Sequence, residues 1–361
     1  MGSLIKNVLV YRLGSLGDTV VALPCFHKIK EVYPDAVITI LTNRPVATKA
    51  APLEAVLGND FFFNNVMAYP VGTRNLFVLF SLISQIRRLK IDVVINLTAT
   101  RTKKAMVRDR LFFRAAGVRK LIGFSTDDAE FNPKVNVMTG FQEWEAARLT
   151  RRIRALGDVN LGDERFWDLR LTHQEFNIAS LALSAFSPQK PILAVCVGTK
   201  CQANDWEENN WVVLISRLSA ILKDWQLIIV GAAEEAERAS KCIKTWQNTK
   251  INLCGKTTPR VSAAILKRAN LFIGHDSGPL HLASSVGVPS VAIFSSRNLP
   301  GQWYPRGEFN RIIQHTPECV GCKLNECFVQ QKKCILSITV DEVLNAVAGV
   351  LAGGKFNIKF N

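Results

Sequence analysis

Short apolar runs rich in β-branched residues alternate along this chain with longer stretches of helical periodicity. The runs lie at residues 7–11, 37–42 and 92–97 in the first half, and at 191–197, 226–231, 271–274 and 290–294 in the second. Such alternation is typical of βα units, whose strands join into parallel sheets. The pattern therefore predicts an α/β chain with two doubly wound, Rossmann-like parallel sheets.

The junction between the two halves is predicted within "LALSAFSPQKP", residues 181–191, where a helical pattern ends in Ser, Pro and Gln. We therefore predict one domain over residues 1–183 and a second over 184–361. A chain of 361 residues with 48% hydrophobic content can supply a core to each of them.

Targeting signals and membrane spans are not expected. The richest apolar stretch, "LFVLFSLIS" at residues 76–84, is too short to cross a bilayer, and the first residues run directly into a strand. We expect a cytoplasmic protein, in which the nine cysteines are reduced thiols or metal ligands rather than disulfides.

The net charge of +15 is concentrated between residues 101 and 120, where eight basic residues accompany one acid, Asp109. Such a run attracts phosphate on a nucleic acid, an anionic lipid or a glycan. The alternative is a solvated helix face, but a solvated face usually mixes both signs of charge.

In parallel α/β sheets ligands bind beyond the carboxyl ends of strands, so the loops there are the first candidates for a site. The loop after the first strand reads "RLGSLGD", and its Gly14 and Gly17 allow a sharp turn into a helix. Asp18 in that turn is either a helix-capping acid or a carboxylate able to accept a proton from a hydroxyl.

The loop after strand 271–274 reads "HDSGPLH". Asp276 or Ser277 can cap the following helix, Gly278 allows close approach, and Pro279 is tolerated in a first turn. The N–H groups of that turn suit a pyrophosphate, to which His281 can donate a hydrogen bond.

Both loops resemble the signatures of glycosyltransferase family 9, the ADP-heptose:lipopolysaccharide heptosyltransferases. The first signature, R-x4-G-D-x5-P, is matched by Arg12, Gly17, Asp18 and Pro24. The second, D-[ST]-G-x2-H-x-A-x5-P, is matched by Asp276, Ser277, Gly278, His281, Ala283 and Pro289.

The resemblance implies the GT-B architecture, in which two Rossmann-like domains face each other across a cleft. It implies an inverting transfer of heptose from ADP-L-glycero-D-manno-heptose to a lipopolysaccharide inner-core or related glycan, with Asp18 as general base. The donor site would include Asp276, Ser277, Gly278, Pro279 and His281. The acceptor, a phosphorylated glycolipid or another glycan, would meet Gly14, Ser15, Gly17, Arg101, Lys103 and Lys104. The same cations could hold the enzyme peripherally at the anionic inner face of the inner membrane.

Two further loops resemble donor-binding loops of the family. In the first, Thr199, Lys200 and Asn204 precede Trp206, and Asn204 stands where the family has lysine. This departure leaves open another nucleotide sugar, or a protein or secondary-metabolite acceptor. In the second, Glu234 or Glu235 would present a carboxylate to the ribose, although acids also favour the start of any helix.

Four cysteines form the spacing Cys319-x2-Cys322-x4-Cys327-x6-Cys334. This spacing could close a tetrahedral thiolate site on Zn or Fe, and such a closed site would be structural rather than catalytic. The alternative is four thiols without metal. No cofactor is expected to be required for catalysis, because a helix N-terminus can stabilise the leaving pyrophosphate.

Two other functions fit parts of the sequence. A sugar-nucleotide epimerase of the same architecture would turn over the donor without an acceptor. A basic nucleic-acid-binding protein would account for the pI of 9.6. Nucleic acid is not expected as a partner, because only Phe112 and Phe113 interleave aromatic rings within the basic run and no recognition motif is found.

Overall fold

The computed structural model describes residues 5–44, 51–58, 61–99 and 102–353. The chain divides into two compact units, Met1–Asp168 and Leu169–Asn361. The sequence prediction placed the junction after residue 183. In the structure the helix His173–Ala182 packs on the helix Pro259–Leu266, and Arg260 Nε donates to Glu175 Oε1 across 2.5 Å. These contacts join residues 169–183 to the second unit.

The first unit contains a five-stranded parallel sheet with the strand order β3-β2-β1-β4-β5. Its strands are β1 (Asn7–Tyr11), β2 (Val37–Arg44), β3 (Asn65–Pro70), β4 (Val93–Asn96) and β5 (Lys120–Ile122). Its helices are α1 (Leu16–Val21), α2 (Leu23–Val32), α3 (Glu54–Leu57), α4 (Leu76–Arg88), α5 (Lys103–Ala115), α6 (Asp128–Phe131) and α7 (Glu145–Arg152). Short 3₁₀ turns follow at Arg154–Leu156 and Glu164–Trp167.

The second unit contains a six-stranded parallel sheet with the order β11-β10-β9-β6-β7-β8. Its strands are β6 (Ile192–Cys196), β7 (Gln226–Ile229), β8 (Lys250–Asn252), β9 (Leu271–His275), β10 (Ser290–Phe294) and β11 (Arg311–Gln314). Its helices are α8 (His173–Ala182), α9 (Glu208–Ile221), α10 (Ala236–Cys242), α11 (Pro259–Leu266), α12 (Gly278–Ser285), α13 (Lys333–Leu336) and α14 (Val340–Gly353). Two 3₁₀ turns, Gln202–Asn204 and Ala233–Glu235, belong to its loops.

All seven predicted strands are confirmed as the central strands of these two sheets. The sequence analysis missed β3, β5, β8 and β11, which are the two edge strands of each described sheet. Each of the four leaves several residues partly exposed, whereas β4, β6, β7, β9 and β10 are buried along their whole length. An edge strand has solvent on one side and does not need a continuous apolar run.

Side-chain caps fix where several helices begin. Asn75 Oδ1 accepts from the N–H of Phe77 at the start of α4, and Thr102 Oγ1 accepts from the N–H of Ala105 at the start of α5. Thr258 caps α11 in the same way. These caps satisfy N–H groups that have no partner inside the helix, so each helix starts at a defined point beyond its preceding strand.

No helix in the described part of the chain has both the length and the apolar character needed to cross a lipid bilayer.

Candidate active site

Each sheet has one point where the strand order reverses. In the first sheet β1 lies between β2 and β4, and in the second sheet β6 lies between β7 and β9. Ligands of open α/β sheets bind beyond the carboxyl ends of the strands at such points. The loops after β1 and β4 and those after β6 and β9 are therefore the places to examine, one unit at a time.

Asp18 lies in the first turn of α1, directly after the loop that follows β1. Its Oδ2 accepts hydrogen bonds from the backbone N–H of Ser15 at 2.7 Å and from the Ser15 hydroxyl at 2.8 Å. Its Oδ1 stands 4.0 Å from Arg12 Nη2, and the side chain keeps 25% of its surface exposed. The carboxylate therefore caps the helix with one oxygen and leaves the other accessible to a ligand.

Gly14 allows this arrangement. Its φ is +134°, a left-handed backbone conformation that residues other than glycine rarely adopt. A Cβ added at this position would lie 2.6 Å from the Cβ of Asp18. Gly17 lies inside α1 and is buried. Of the two predicted glycines, Gly14 is the one whose missing side chain makes room for the acid.

Arg12 is completely buried behind this loop and donates to the carbonyl oxygens of Leu97 and Asp18. Burial lowers its pKa, and the nearby Asp18 opposes that shift. Through these two carbonyls, Arg12 holds the loop after β4 next to the first turn of α1. The sequence analysis matched Arg12 to a signature but assigned it no role.

Two more arginines, from α7, are buried at the same sheet edge. Arg148 is fully buried, forms an ion pair with Glu145 at 2.6 Å and donates to the Thr98 carbonyl at 3.1 Å. Arg152 donates to the same carbonyl at 2.6 Å and to the Gly123 carbonyl at 2.9 Å. Sequence reasoning missed both, because nothing local in "EAARLTRR" indicates that these arginines are buried.

The predicted basic cluster is only partly described. Lys103 and Lys104 are exposed in the first turn of α5, whereas Arg101 lies outside the described residues. On the same helix Val107 and Leu111 are 41% and 64% exposed. Helix α5 therefore presents apolar side chains together with its cations.

The donor candidates after β9 form one compact turn. Ser277 is the N-cap residue of α12, and Gly278 and Pro279 open the helix. The Ser277 hydroxyl does not cap the helix, and it lies beside the buried thiol of Cys196. His281 is buried, and its Nε2 stands 3.8 Å from Asp276 Oδ1, so both side chains belong to one small region at the helix start.

His275, the last residue of β9, was missed by the sequence analysis. Its Nε2 accepts from the backbone N–H of Trp206 at 3.1 Å, and its Nδ1 lies 3.4 Å from the Gly198 carbonyl. Burial lowers the pKa of His275 to about 4, so the imidazole is neutral near pH 7 and donates through Nδ1. It joins both ends of the loop after β6 to the neighbouring strand.

Asn204 is almost completely buried, and both ends of its amide have partners. Its Nδ2 donates to the Asp276 carbonyl at 3.2 Å, and its Oδ1 accepts from the Ser295 hydroxyl. Asn204 thus joins three loops of this sheet edge. Of its loop neighbours, Lys200 is exposed and Thr199 is half-buried, with its Oγ1 accepting from the Cys201 N–H at 3.3 Å.

The two predicted acids after β7 differ in position. Glu234 is exposed, whereas Glu235 accepts from the Ala232 N–H at 2.9 Å and its carboxylate lies against Gly198 and Gly231. A Cβ on Gly198 would fall 1.8 Å from that carboxylate carbon. Burial raises the pKa of Glu235. Glu235 is therefore the acid that lies at the strand ends.

The four-cysteine segment packs on the loop after β6. The Ala203 N–H donates to the Asn325 carbonyl at 3.0 Å, and the Cys327 N–H donates to Gln202 Oε1 at 2.8 Å. Burial and the neighbouring thiols of Cys319, Cys327 and Cys322 raise the pKa of Cys334. Within the described ranges, no three His, Cys, Asp or Glu side chains stand close enough to hold a metal ion. The metal site stays a prediction.

Comparison with known proteins gives the family. The model of "Glycosyltransferase family 9 (heptosyltransferase)" matches residues 79–333, and the chain belongs to this family of glycosyltransferases. The chain is similar to lipooligosaccharide heptosyltransferase 2 of Campylobacter jejuni, with 29% identity over 129 residues, which cover 35% of this chain and 40% of that relative. It thus spans less than half of that relative's length.

Two other similarities extend along nearly the whole chain. The lipopolysaccharide core heptosyltransferase OpsX of Haemophilus influenzae is 20% identical over 318 residues, covering 85% of this chain and 84% of the relative. The crystal structure of a family 9 glycosyltransferase from Veillonella parvula covers 98% of this chain and 99% of its own, with a TM-score of 0.71 and 16% identity. The predicted α/β fold class, GT-B, is confirmed.

Proposed function

We propose that this chain transfers heptose from ADP-L-glycero-D-manno-heptose to a lipopolysaccharide inner-core or related glycan, with inversion at the anomeric carbon. One observation supports this most. The residues that match the two family signatures lie at the strand-order reversals of the two sheets, with Asp18 after β1 and Asp276 to His281 after β9. The fold alone does not indicate a reaction. Acidic, hydroxyl and imidazole side chains at the ligand-binding edges of the two sheets do indicate one.

Asp18 is the general base in this proposal. The acceptor hydroxyl gives its proton to Oδ1, and its oxygen bonds to the anomeric carbon. The bond from that carbon to the diphosphate oxygen breaks on the opposite face, and the electron pair leaves with the nucleoside diphosphate. Support comes from the geometry, since Oδ2 is held by two hydrogen bonds from Ser15 while Oδ1 is not, which orients the carboxylate.

The start of α12 receives the leaving diphosphate. Charge grows on the diphosphate oxygens as the bond breaks, and the N–H groups and dipole of a helix N-terminus favour such charge. His281 donates to a phosphate oxygen, and Asp276 accepts from hydroxyls of the donor sugar. Glu235 is the better placed of the two acids to accept from the ribose, because it lies against Gly198 and Gly231 at the strand ends.

The acceptor is held by the first unit, and the same unit contacts the anionic inner surface of the membrane. Support comes from α4 and α5, which pack together and combine exposed cations with exposed apolar side chains. Leu76, Phe77 and Phe80 on α4 are 65%, 85% and 65% exposed. Cations beside inserted apolar residues bind anionic bilayers, at about 1 kcal/mol per cation. The proposed location is therefore cytoplasmic and peripheral to the inner membrane.

A second candidate is the same reaction type with another nucleotide sugar. The observation that favours it is Asn204, which is buried and hydrogen-bonded to Asp276 and Ser295 where the family has a lysine. A neutral buried amide cannot supply the charge that a lysine brings to a phosphate. Lys200, exposed on the same loop, is the cation that would replace it.

Calorimetric titration with ADP-heptose beside UDP-, GDP- and dTDP-sugars separates the two candidates. Preference for ADP-heptose supports the heptosyltransferase, and preference for another nucleotide overturns the donor while leaving the reaction type. Turnover of the donor to an epimer without any acceptor would overturn the transferase itself.

A further inference from the structure

The connection after β10, residues 295–310, carries a tryptophan, Trp303, that the sequence analysis did not single out. The chain has seven tryptophans, and five of them belong to the second unit. Trp303 keeps part of its surface exposed, whereas the other four are buried in the unit's core: Trp206, Trp211, Trp225 and Trp246. Trp303 can therefore offer an indole surface to a ligand.

Trp303 lies beside the first turn of α12. The ring centroids of Trp303 and His281 are 6.3 Å apart and the rings are inclined at 69°, an edge-on arrangement typical of packed aromatic pairs. His281 Nε2 in turn stands 3.8 Å from Asp276 Oδ1. The indole thus belongs to the same small region as the two side chains proposed to contact the diphosphate and the donor sugar.

The residue after Trp303 attaches the connection to the sheet. The Tyr304 hydroxyl donates to Gln314 Oε1 at 2.8 Å, at the end of β11. The Tyr304 ring packs edge-on against Phe294, the last residue of β10, with centroids 5.4 Å apart. These contacts hold the backbone of Trp303 close to the carboxyl ends of two neighbouring strands.

A second attachment joins the connection to α12 itself. The Arg306 N–H donates to Ser284 Oγ at 2.6 Å, and the Ser284 hydroxyl donates to the Arg306 carbonyl at 3.1 Å. Ser284 follows His281 by three residues, so both lie on one face of the helix. The place of Trp303 beside His281 is therefore fixed by the fold, as a preorganised binding site requires.

The strand order places Trp303 at one end of the donor candidates. Glu235 follows β7, Asp276 and His281 follow β9, and Trp303 follows β10, while β6 separates β7 from β9. Because neighbouring strands are about 4.8 Å apart, the edge presents the acid proposed for the ribose, then the proposed diphosphate site, then the indole. A diphosphate joins the ribose to the sugar, so the sugar lies beyond the diphosphate, on the side of Trp303.

We propose that Trp303 forms one wall of the donor-sugar site, an inference that rests on the proposed function. The C–H groups on one face of a sugar ring are slightly positive and pack on the negative face of an indole. Asp276 accepts from the sugar hydroxyls while the indole receives the apolar face, and together they orient the anomeric carbon. Trp303 contacts neither the ribose nor the base. It therefore strengthens the binding of a nucleotide sugar and not that of the nucleoside diphosphate alone.

The first test compares the two ligands by calorimetric titration of the full-length protein. Trp303→Ala should bind ADP-heptose about tenfold more weakly and ADP within about twofold of wild type. Trp303→Phe keeps an aromatic face and should recover most of the affinity for ADP-heptose. The matched control is Phe309→Ala, which removes a 60% exposed ring from the same connection and should bind both ligands as wild type does.

Equal weakening of ADP and ADP-heptose in Trp303→Ala would overturn the sugar contact, because the indole would then act on the diphosphate through His281. Unchanged affinity for both ligands would also overturn it. If the wild type prefers another nucleotide sugar, the same comparison is made between that ligand and its nucleoside diphosphate. A wild-type protein that binds no nucleotide sugar would refute the proposed function as well, whereas wild-type binding that Trp303→Ala leaves unchanged would refute this inference alone.

The second test observes the indole directly. The protein is labelled with 5-fluorotryptophan, and the ¹⁹F resonance of Trp303 is the one missing from the spectrum of Trp303→Phe. We expect this resonance to shift further on saturation with ADP-heptose than on saturation with ADP, since only the first ligand carries the sugar. Equal shifts with the two ligands would contradict a contact between Trp303 and the sugar.

Discussion

The two candidate loops occupy equivalent places in their sheets but are held by different chemistry. In the first unit, the loops after β1 and β4 are held by buried arginines, Arg12, Arg148 and Arg152, that donate to backbone carbonyls. In the second unit, the neutral side chains of His275 and Asn204 join the loops after β6 and β9. An ion pair between Arg238 and Asp205 and a hydrogen bond from the buried Lys332 to the Asp205 carbonyl also hold the loop after β6. The difference teaches that the same topology can hold its ligand edge with a cluster of buried arginines or with neutral side chains supported by ion pairs.

Each environment suits what the unit is proposed to bind. Buried cations give the first unit a positive field, which favours an anionic acceptor and a carboxylate at position 18. In the second unit, the proposed contacts of the pyrophosphate are the N–H groups and dipole of α12 and the His281 side chain. Burying charge costs free energy unless it is paired, so the first unit should depend more on its network than the second.

The largest effect is expected from Asp18→Asn. The amide can still accept from Ser15, so the loop should keep its shape, but it cannot take the proton. We expect kcat to fall by about 10²–10⁴-fold with an unchanged donor dissociation constant, measured by steady-state transfer and calorimetry. Asp158→Asn, an exposed acid of the same unit, is the control and should be neutral. Near-normal turnover in Asp18→Asn would exclude it as the base.

Breaking the buried ion pair tests whether the first unit depends on its charges. Arg148→Met removes the hydrogen-bonded partner of the buried Glu145 carboxylate, and should lower the free energy of unfolding by about 3–5 kcal/mol. The double variant Glu145→Gln/Arg148→Met also removes the negative charge at position 145, and should recover much of the lost free energy of unfolding. Urea denaturation measures both, with the exposed Arg154→Ala as control. A loss below 1 kcal/mol in Arg148→Met would contradict the contrast between the units.

The sequence predicts the central strands of each sheet and the loop residues that follow them. It does not predict which side chains hold those loops in place. Strands β1 and β10 are recognisable because a central strand needs a continuous apolar run, and Asp18 is recognisable because it follows such a strand. Arg148 reads as a surface residue, since its burial depends on Thr98, 50 residues earlier in the chain. Nothing local in the sequence predicts that contact.

The same limit applies to Asn204 and His275. Asn204 was assigned to the donor because of its place in a motif, yet its amide is bound to Asp276, 72 residues away. His275 ends an apolar strand and reads as part of it, although it joins Trp206 to that strand across 69 residues. Residues that organise a site through hydrogen bonds to distant parts of the chain can be identified only from the structure.

The pH dependence of the free energy of unfolding tests whether His275 of the second unit is buried in its neutral form. The pKa of His275 is about 4 when folded and 6.5 as a free group, so the unfolded chain binds more protons between these values. This group's stabilising contribution is complete above pH 6.5 and is lost as the pH falls towards 4, by about 3 kcal/mol. Urea denaturation between pH 4 and 7 should show a shallower pH slope in His275→Asn than in wild type. An identical pH slope in the variant and in wild type would show that the burial of a neutral His275 does not contribute to stability.

The smallest effect tests whether the donor loop also needs the four-cysteine segment. The segment binds the loop through Ala203 and Gln202, so loosening it should disturb the donor contacts and not the base. If the four thiols hold Zn or Fe, metal analysis of the purified protein will find close to one ion per chain. Removal of that ion by a chelator, or the change Cys319→Ser/Cys334→Ser, should then weaken donor binding about tenfold, about 1.4 kcal/mol. Cys242→Ser, a buried cysteine on α10 outside the segment, is the control and should keep the metal. Metal-free protein with full donor affinity would mean that the thiols act through packing alone and that the loop after β6 needs no metal ion.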